Sequence, residues 1–469
     1  MDAEAGLERD AIEGPLRLPL AELRDLQEAN LRRQIAWVAA GHPYYRRVFE
    51  ERAIDPVSIR SIADLSRLPF TTKADYMRSP DAFRLAPQPS MSVHEKLLWD
   101  LSYTTGTTAG APTPFYNTTY DYYAILLALH RLCRISDIRA TDVIANLFPL
   151  APVPHIGFLR TRDYASVVGA TVFSTLTGTP HPEFPIHNSL DHAVRRVEQH
   201  RATVLSGIVS YVRRVIMRAQ ELGADFSSVR LAIVLGEPCP RGMREDMRAR
   251  LRALGAKDGA RIINALGFTE MQAATGECKE LGGGHNPAPE QLLFEVVDEA
   301  TREPLPDGER GLLTVTHLDR RGTVLLRYLL GDICAIETGV CPHCGRTGQR
   351  VVTNVVRTKE LVKVKGTLVN PDLMKEAIAT VSGIDEYQIV FTKEDAADRY
   401  SGDRVVVRLA VAAADDGARD RIAAAVRDRV AAAAELRPAI EFTTMDAIFD
   451  PTKTLKSSRV VDLRPVDEE

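Results

Sequence analysis

Five short apolar runs between residues 142 and 268 constrain the fold of this chain more than any other feature: "DVIANLF", "ATVFSTL", "ATVLSG", "VRLAIVLGE" and "ARIINALGF". Each is rich in branched residues and bounded by turn formers. Helical stretches such as "SLDHAVRRVEQH" and "SYVRRVIMRAQELG" separate several of them. Strands that read as continuous apolar runs are buried on both faces, so this alternation predicts βα units around a helix-covered sheet.

The flanking regions have other textures. Residues 1–100 read as mostly helical, with apolar positions near a period of 3.6 in "LAELRDLQEANLRRQIAWVAA". Residues 291–336 give "QLLFEVVDE", "GLLTVTHL" and "TVLLRYLLGDICAI" around turns such as "LPDGERG", as in an antiparallel β subdomain. After residue 360 come "LVKVKGTLV", a helix, "YQIVFTKED", "DRVVVRLAVAA", the Ala-rich "ARDRIAAAVRDRVAAAAEL" and "AIEFTT", the pattern of a compact α+β module. A chain of 469 residues is too long for one core, so two or more domains are expected.

Charge narrows the partners. Lys+Arg number 59 against Asp+Glu 63, a net charge of −4 without a long basic block, which argues against nucleic acid or an anionic membrane. No apolar run approaches a membrane span. The acidic N-terminus "MDAEAGLERDAIEG" has no apolar core of a secretory signal, so a cytoplasmic location is expected, where disulfides are unfavoured.

Chemistry concentrates in a few stretches. "SYTTGTTAGAPTPFY" (102–116) crowds hydroxyls and glycines after the strand-like "KLLWDLSY". Gly106 and Gly110 permit backbone shapes that turn N–H groups inward, a nest for phosphates. No Gly-Lys-Ser/Thr follows, so it is not a Walker loop. "CPHC" supplies Cys341 and Cys344 at a spacing that makes half of a tetrahedral zinc site.

Residues 104–113 resemble the phosphate loop of the adenylate-forming enzymes. "LGFTE" (266–270), "RYLLGD" (327–332), "VRTKELVKVKGTLVNP" (356–371) and "PTKTLKSSRVVD" (451–462) resemble further motifs of that superfamily, in its order. "HPYYRRVFEE" and "LPFTTKADY" are similar to the phenylacetate–CoA ligase-like branch. The fold this implies is α/β: a large N-terminal domain over residues 1–357 with βα-layered sheets and a β subdomain, and a small mobile α+β domain over 358–469. The activity it implies is ATP- and Mg²⁺-dependent conversion of a carboxylic acid, aryl or compact acyl, to an acyl-adenylate. Transfer to CoA follows, with a carrier-protein thiol or an amine as alternative acceptor; the further alternative is that the chain is a non-catalytic nucleotide-binding homologue. A monomer and a homodimer are both open.

By this resemblance Thr104, Thr105, Gly106, Thr107 and Thr108 cradle the β- and γ-phosphates. Gly236, Glu237 and Pro238 lie along the adenine, Asp332 takes the ribose hydroxyls and Arg357 assists there. Thr269 contacts the α-phosphate, Glu270 binds Mg²⁺ and Lys456 is the catalytic lysine, with Lys453 its rival. Lys359 is the hinge, and Lys365 and Gly366 line the thiol tunnel. The acid lies among His155, Gly157, Gly207, Tyr211, Ala265 and Gly267. Members of the branch carry a Cys/His set like Cys278, His285, Cys341 and Cys344, which implies a structural zinc subdomain near 276–350; His343 is the rival ligand. Three positions depart from the pattern: Ala111 where Lys or Arg is common, Leu266 where Tyr is usual, and Leu455 where Gly precedes the lysine.

Overall fold

A computed structural model describes residues 12–103, 113–149, 155–177, 187–257, 260–352, 355–357, 362–364, 367–395, 398, 401–412, 415–434, 436–454 and 456–464. Thr104–Thr108, Ala111, Lys359, Lys365, Gly366 and Leu455 lie outside the described residues, as does the side chain of Arg357.

All five apolar runs enter one parallel sheet, in the order Thr171–Ser174, Val143–Asn146, Val204–Ile208, Leu231–Leu235, Arg261–Ala265. Helices Ile156–Val168, Leu190–Gln199, Val209–Leu222 and Arg241–Ala253 make the connections. Successive strand residues face opposite sides. Ala145, Leu205, Val234 and Ile262 pack into a core with Val212, Ile216 and Met247. Their neighbours Ile144, Val204, Ile233 and Ile263 pack with Leu129 and Leu132 of the helix Thr119–Ser136. Both faces are therefore dry, which is why the strands show no polar alternation. The strands all end on one edge, and open α/β sheets bind ligands in the crevice outside such carboxyl ends.

A second sheet is antiparallel: Leu292–Val297, Gly311–His317, Tyr328–Cys334 and Val356–Arg357. Its third strand starts later than "TVLLRYLLGDICAI" suggests. Arg327 sits at a φ of 46° and breaks the extended run. Its guanidinium lies 4.1 Å from the Phe70 ring centre and donates to the Leu68 carbonyl at 2.9 Å, tying the N-terminal segment to this sheet. A third sheet, in the order Ile336–Val340, Thr347–Val351, Gly284–His285, Gly276–Glu277, joins segments about sixty residues apart.

Near the N-terminus, strands Leu98–Tyr103 and Pro114–Thr118 form a hairpin whose last pair is Tyr103 with Pro114, so its strands flank residues 104–112. At the other end, Ala439–Thr443, Asp403–Val411, Ile384–Lys393 and Val460–Asp462 form a mixed sheet in that order. Helices Pro371–Ala379 and Asp416–Ala434 supply Met374, Ile378, Val426 and Val430 to its core. The strand Val460–Asp462, parallel to Ile384–Lys393, was not legible as one because it is only three residues long.

Candidate active site and Cys/His centre

The crevice is built where the parallel strands end. Leu235 pairs with Ala265, so the segments that follow, Gly236–Pro238 and Leu266–Glu270, leave the sheet side by side. Gly236 takes a φ of 83°, open to glycine but strained for other residues, and its carbonyl accepts a hydrogen bond from Lys456 Nζ at 3.0 Å. The next residue of the C-terminal segment, Ser457, donates its N–H to Ser210 Oγ at 3.2 Å. Glu237 accepts from the Ser210 N–H at 2.7 Å, bracing the first turn of the helix Val209–Leu222. Lys453 instead pairs with Asp450 at 3.0 Å in solvent.

His155 caps the helix Ile156–Val168, its Nδ1 accepting the Gly157 N–H at 3.0 Å. That bond leaves the neutral ring's proton on Nε2 as a donor. The ring stacks on Phe148, centres 5.3 Å apart and planes 13° from parallel. Burial, with the Lys456 charge adding to it, holds the imidazole down at about 4, so it is neutral at pH 7. Gly157 makes the stack possible, because a Cβ there would sit 2.6 Å from the Phe148 ring. The Cβ direction of Gly207 meets Leu147 and Val212, and that of Gly267 meets Leu235 and Ala274. Those two glycines serve close packing behind the crevice. Tyr211 is buried beside Thr177, and burial raises its hydroxyl pKa.

Glu270 is buried opposite this group. Burial pushes its carboxyl pKa up, against a hydrogen bond from the Tyr328 hydroxyl and the attraction of Lys73; the Asp332 carboxylate pushes it further up. Glu270 therefore feels both the Asp332 carboxylate and the Lys73 ammonium. A divalent cation suits it, because it would compensate the like charge that otherwise disfavours ionising both acids. The Glu270 carbonyl is held by His317 Nε2 at 2.9 Å. Asp332 pairs in register with Arg357 in the antiparallel sheet. Leu266, at the position where a Tyr is usual, packs against the core instead.

The second constellation lies in the third sheet. Cys278 Sγ is 3.8 Å from Cys341 Sγ and 3.4 Å from His285 Nε2, which is 3.5 Å from Cys344 Sγ. The four donor atoms all lie within 4.8 Å of one another. A tetrahedral zinc ion with ordinary bond lengths has donor–donor edges of about 3.5–3.8 Å, so the set fits that ion. Two backbone bonds shape the turn: Gly345 N–H to the Cys341 carbonyl at 2.9 Å and Cys341 N–H to the Arg346 carbonyl at 2.8 Å. The Cys344 thiol is held low by a hydrogen bond from Cys278 and by His285, while that bond to Cys344 raises Cys278. His343 is exposed and rests against Gly282, outside this cluster.

A family model described as AMP-binding enzyme matches residues 50–318, more than half of the chain. The chain belongs to the AMP-binding enzyme family. A phenylacetate-coenzyme A ligase of Thermus thermophilus is 28% identical over 386 residues, 81% of this chain and 81% of its own length. One from Aromatoleum evansii is 25% identical over 361 residues, 76% of this chain and 75% of its own. Among solved structures, 2-hydroxyisobutyryl-CoA ligase in its postadenylation state matches with a TM-score of 0.79 at 22% identity, over 96% of this chain and 91% of that one. The same ligase in its thioesterification state matches at 0.63, with 23% identity over 96% of this chain and 91% of that one.

This AMP-binding enzyme also uses residues that sequence reasoning missed. Gln272, buried with a φ of 59°, accepts from Ser102 Oγ at 3.1 Å, Asn117 Nδ2 at 3.0 Å and Arg160 Nη2 at 2.7 Å. Its own Nε2 donates to the Thr269 carbonyl at 2.5 Å. One amide therefore ties the hairpin flanking residues 104–112 to the turn bearing Thr269 and Glu270. Its signal in sequence was only its place two residues past "LGFTE". Lys73 and Tyr328 stood inside quoted phrases, but nothing in sequence spacing brings them to Glu270. No helix among the described residues is long and apolar enough to cross a membrane.

Proposed function

We propose that this enzyme activates a carboxylic acid with ATP and passes the acyl group to CoA. The observation that carries the reading is Lys456: a lysine from the far end of the chain reaches the carboxyl edge of the parallel sheet, beside His155. Membership of the AMP-binding enzyme family and the likeness to relatives named phenylacetate-coenzyme A ligase support it.

In the first half-reaction a carboxylate oxygen attacks the α-phosphorus of ATP. The new C–O–P link forms as the bond to the bridging oxygen breaks, and pyrophosphate leaves. Lys456 bridges the two anions as charge shifts between them, the kind of preorganised cation that lowers such a barrier. Thr269 donates to the α-phosphate, Thr104, Thr105, Thr107 and Thr108 hold the other phosphates, and Asp332 takes the ribose hydroxyls. Glu270 would hold Mg²⁺, which would neutralise phosphate charge when bound. In the second half-reaction the CoA sulfur attacks the acyl carbon, AMP departs and the thiol proton goes to solvent.

The Phe148–His155 stack favours a flat or compact acid over a long chain. The neutral ring's Nε2–H is available to donate to it. Lys359 serves as the hinge between half-reactions, and Lys365 and Gly366 border the path of the thiol. Cys278, His285, Cys341 and Cys344 hold a structural zinc ion, closed by four protein ligands.

Exchange of labelled pyrophosphate into ATP, run over a panel of aryl and short acyl acids without CoA, tests the reading. Exchange that depends on one of these acids supports it, and adding CoA, a carrier protein or an amine then identifies the acceptor. Acid-independent ATP hydrolysis without exchange would contradict it.

A further inference from the structure

The contact that brings Lys456 to the crevice is braced from behind. Arg213, one helical turn after Ser210, is buried; its Nε and Nη2 bind Asp246 Oδ2 at 3.0 and 2.9 Å. Its remaining nitrogen, Nη1, donates to the Asp385 carbonyl and lies 3.9 Å from Glu386 Oε2. Arg250 does the same from the next helix, binding Asp246 Oδ1 at 2.9 Å and Asp385 Oδ1 at 2.9 Å. On the far side, Glu386 is held by Arg459 through two bonds of 2.9 and 3.1 Å. Arg459 is three residues after Lys456, and its carbonyl accepts from Ile389 N at 2.8 Å. Fixing Asp385 and Glu386 against the helices therefore fixes the segment that carries Lys456.

This contact is separable. Each buried charge has a partner on its own side: Arg213 keeps Asp246, and Glu386 keeps Arg459. Parting the two surfaces strands no buried charge, the event that makes breaking most buried ion pairs costly. The seam is also tight. Gly242 lies so close to the helix Pro371–Ala379 that a Cβ would sit 2.0 Å from the Ala379 carbonyl oxygen.

We propose that Arg213 and Arg250 are positioning residues that, with Gly242 as the close-approach point, clasp the C-terminal sheet in the acid-activating arrangement and release it for thioester formation. This rests on the acid-activation reading above.

The test measures the half-reactions separately in the full-length chain: pyrophosphate exchange for the first, and conversion of a synthetic acyl-adenylate with CoA for the second. Arg213→Ala, Arg250→Ala and Gly242→Ala are each expected to slow exchange by about tenfold or more, with second-step rates unchanged or raised. Arg213→Lys should restore part of the loss. Ala is the better helix former, so Gly242→Ala acts at the seam and does not weaken its helix, which keeps the test decisive if an arginine variant folds poorly. Equal loss in both half-reactions, or less than about a twofold change in either, would overturn the clasp. Absence of exchange in the wild type would instead sink the acid-activation reading and the clasp with it.

Discussion

The Cys/His sheet and the crevice at the carboxyl edge of the parallel sheet are both assembled from distant segments, yet they are held in opposite ways. In the first, four donors converge on one point and the turn between Cys341 and Cys344 is closed by its own backbone. In the second, the key cation arrives on an exposed side chain that donates to a backbone carbonyl, Lys456 to Gly236. The difference teaches what each is for. A closed set of ligands makes a joint that does not move, whereas a lysine seated by a separable contact can act in one step and withdraw in the next.

The largest effect should come from the joint. Stripping the metal with a chelator, or Cys344→Ser, should lower the melting temperature by about 10 °C or more, since structural zinc contributes roughly 10–16 kcal/mol in small domains. Elemental analysis of the purified protein should give one zinc per chain; none would break the comparison at its firmest point. Next comes the crevice. Lys456→Ala should slow exchange by about a hundredfold, about 2.7 kcal/mol of barrier, with almost no change in melting temperature. Lys453→Ala should change neither by more than about twofold.

A smaller effect falls on the brace between hairpin and turn. Gln272→Leu leaves the Ser102, Asn117 and Arg160 donors only their longer bonds of 3.3 Å to Asp100 Oδ2, at about 1–3 kcal/mol, and should raise the KM for ATP severalfold. The smallest concerns pH. Folded His155 refuses a proton until about pH 4, whereas the unfolded ring takes one near 6.5. The stability it contributes is therefore present above 6.5 and lost as the pH falls toward 4. His155→Gln should lose about 1 kcal/mol less than wild type between pH 7 and pH 5.5 in denaturant titrations.

Much of this was legible in the sequence, for physical reasons that differ by region. The five branched runs could be read as buried parallel strands because both faces are apolar, and the strands bounded by Gly and Pro turns announced the antiparallel sheet. Cys341 and Cys344 were legible because thiols at that spacing have few other uses, and Cys278 and His285 through the family resemblance. Gln272, Tyr328 and Lys73 were not, because an amide, a phenol and a lysine carry no spacing signature until the chain folds them against Glu270. The late start of the strand at Tyr328 was hidden by an Arg327 that adopts a left-handed backbone to reach Phe70. The seam around Arg213 was invisible for the same reason: its partners lie 33 and 173 positions away.

The most direct measurement is a single-turnover quench. Enzyme, ATP, Mg²⁺ and an aryl acid that supports exchange are mixed without CoA, and the acid-stable products are resolved by mass spectrometry. Acid activation in this crevice requires about one acyl-adenylate per chain for wild type, consumed when CoA is added, and next to none for Lys456→Ala. ADP and phosphate in place of an adenylate, or an adenylate formed equally well without Lys456, would contradict it.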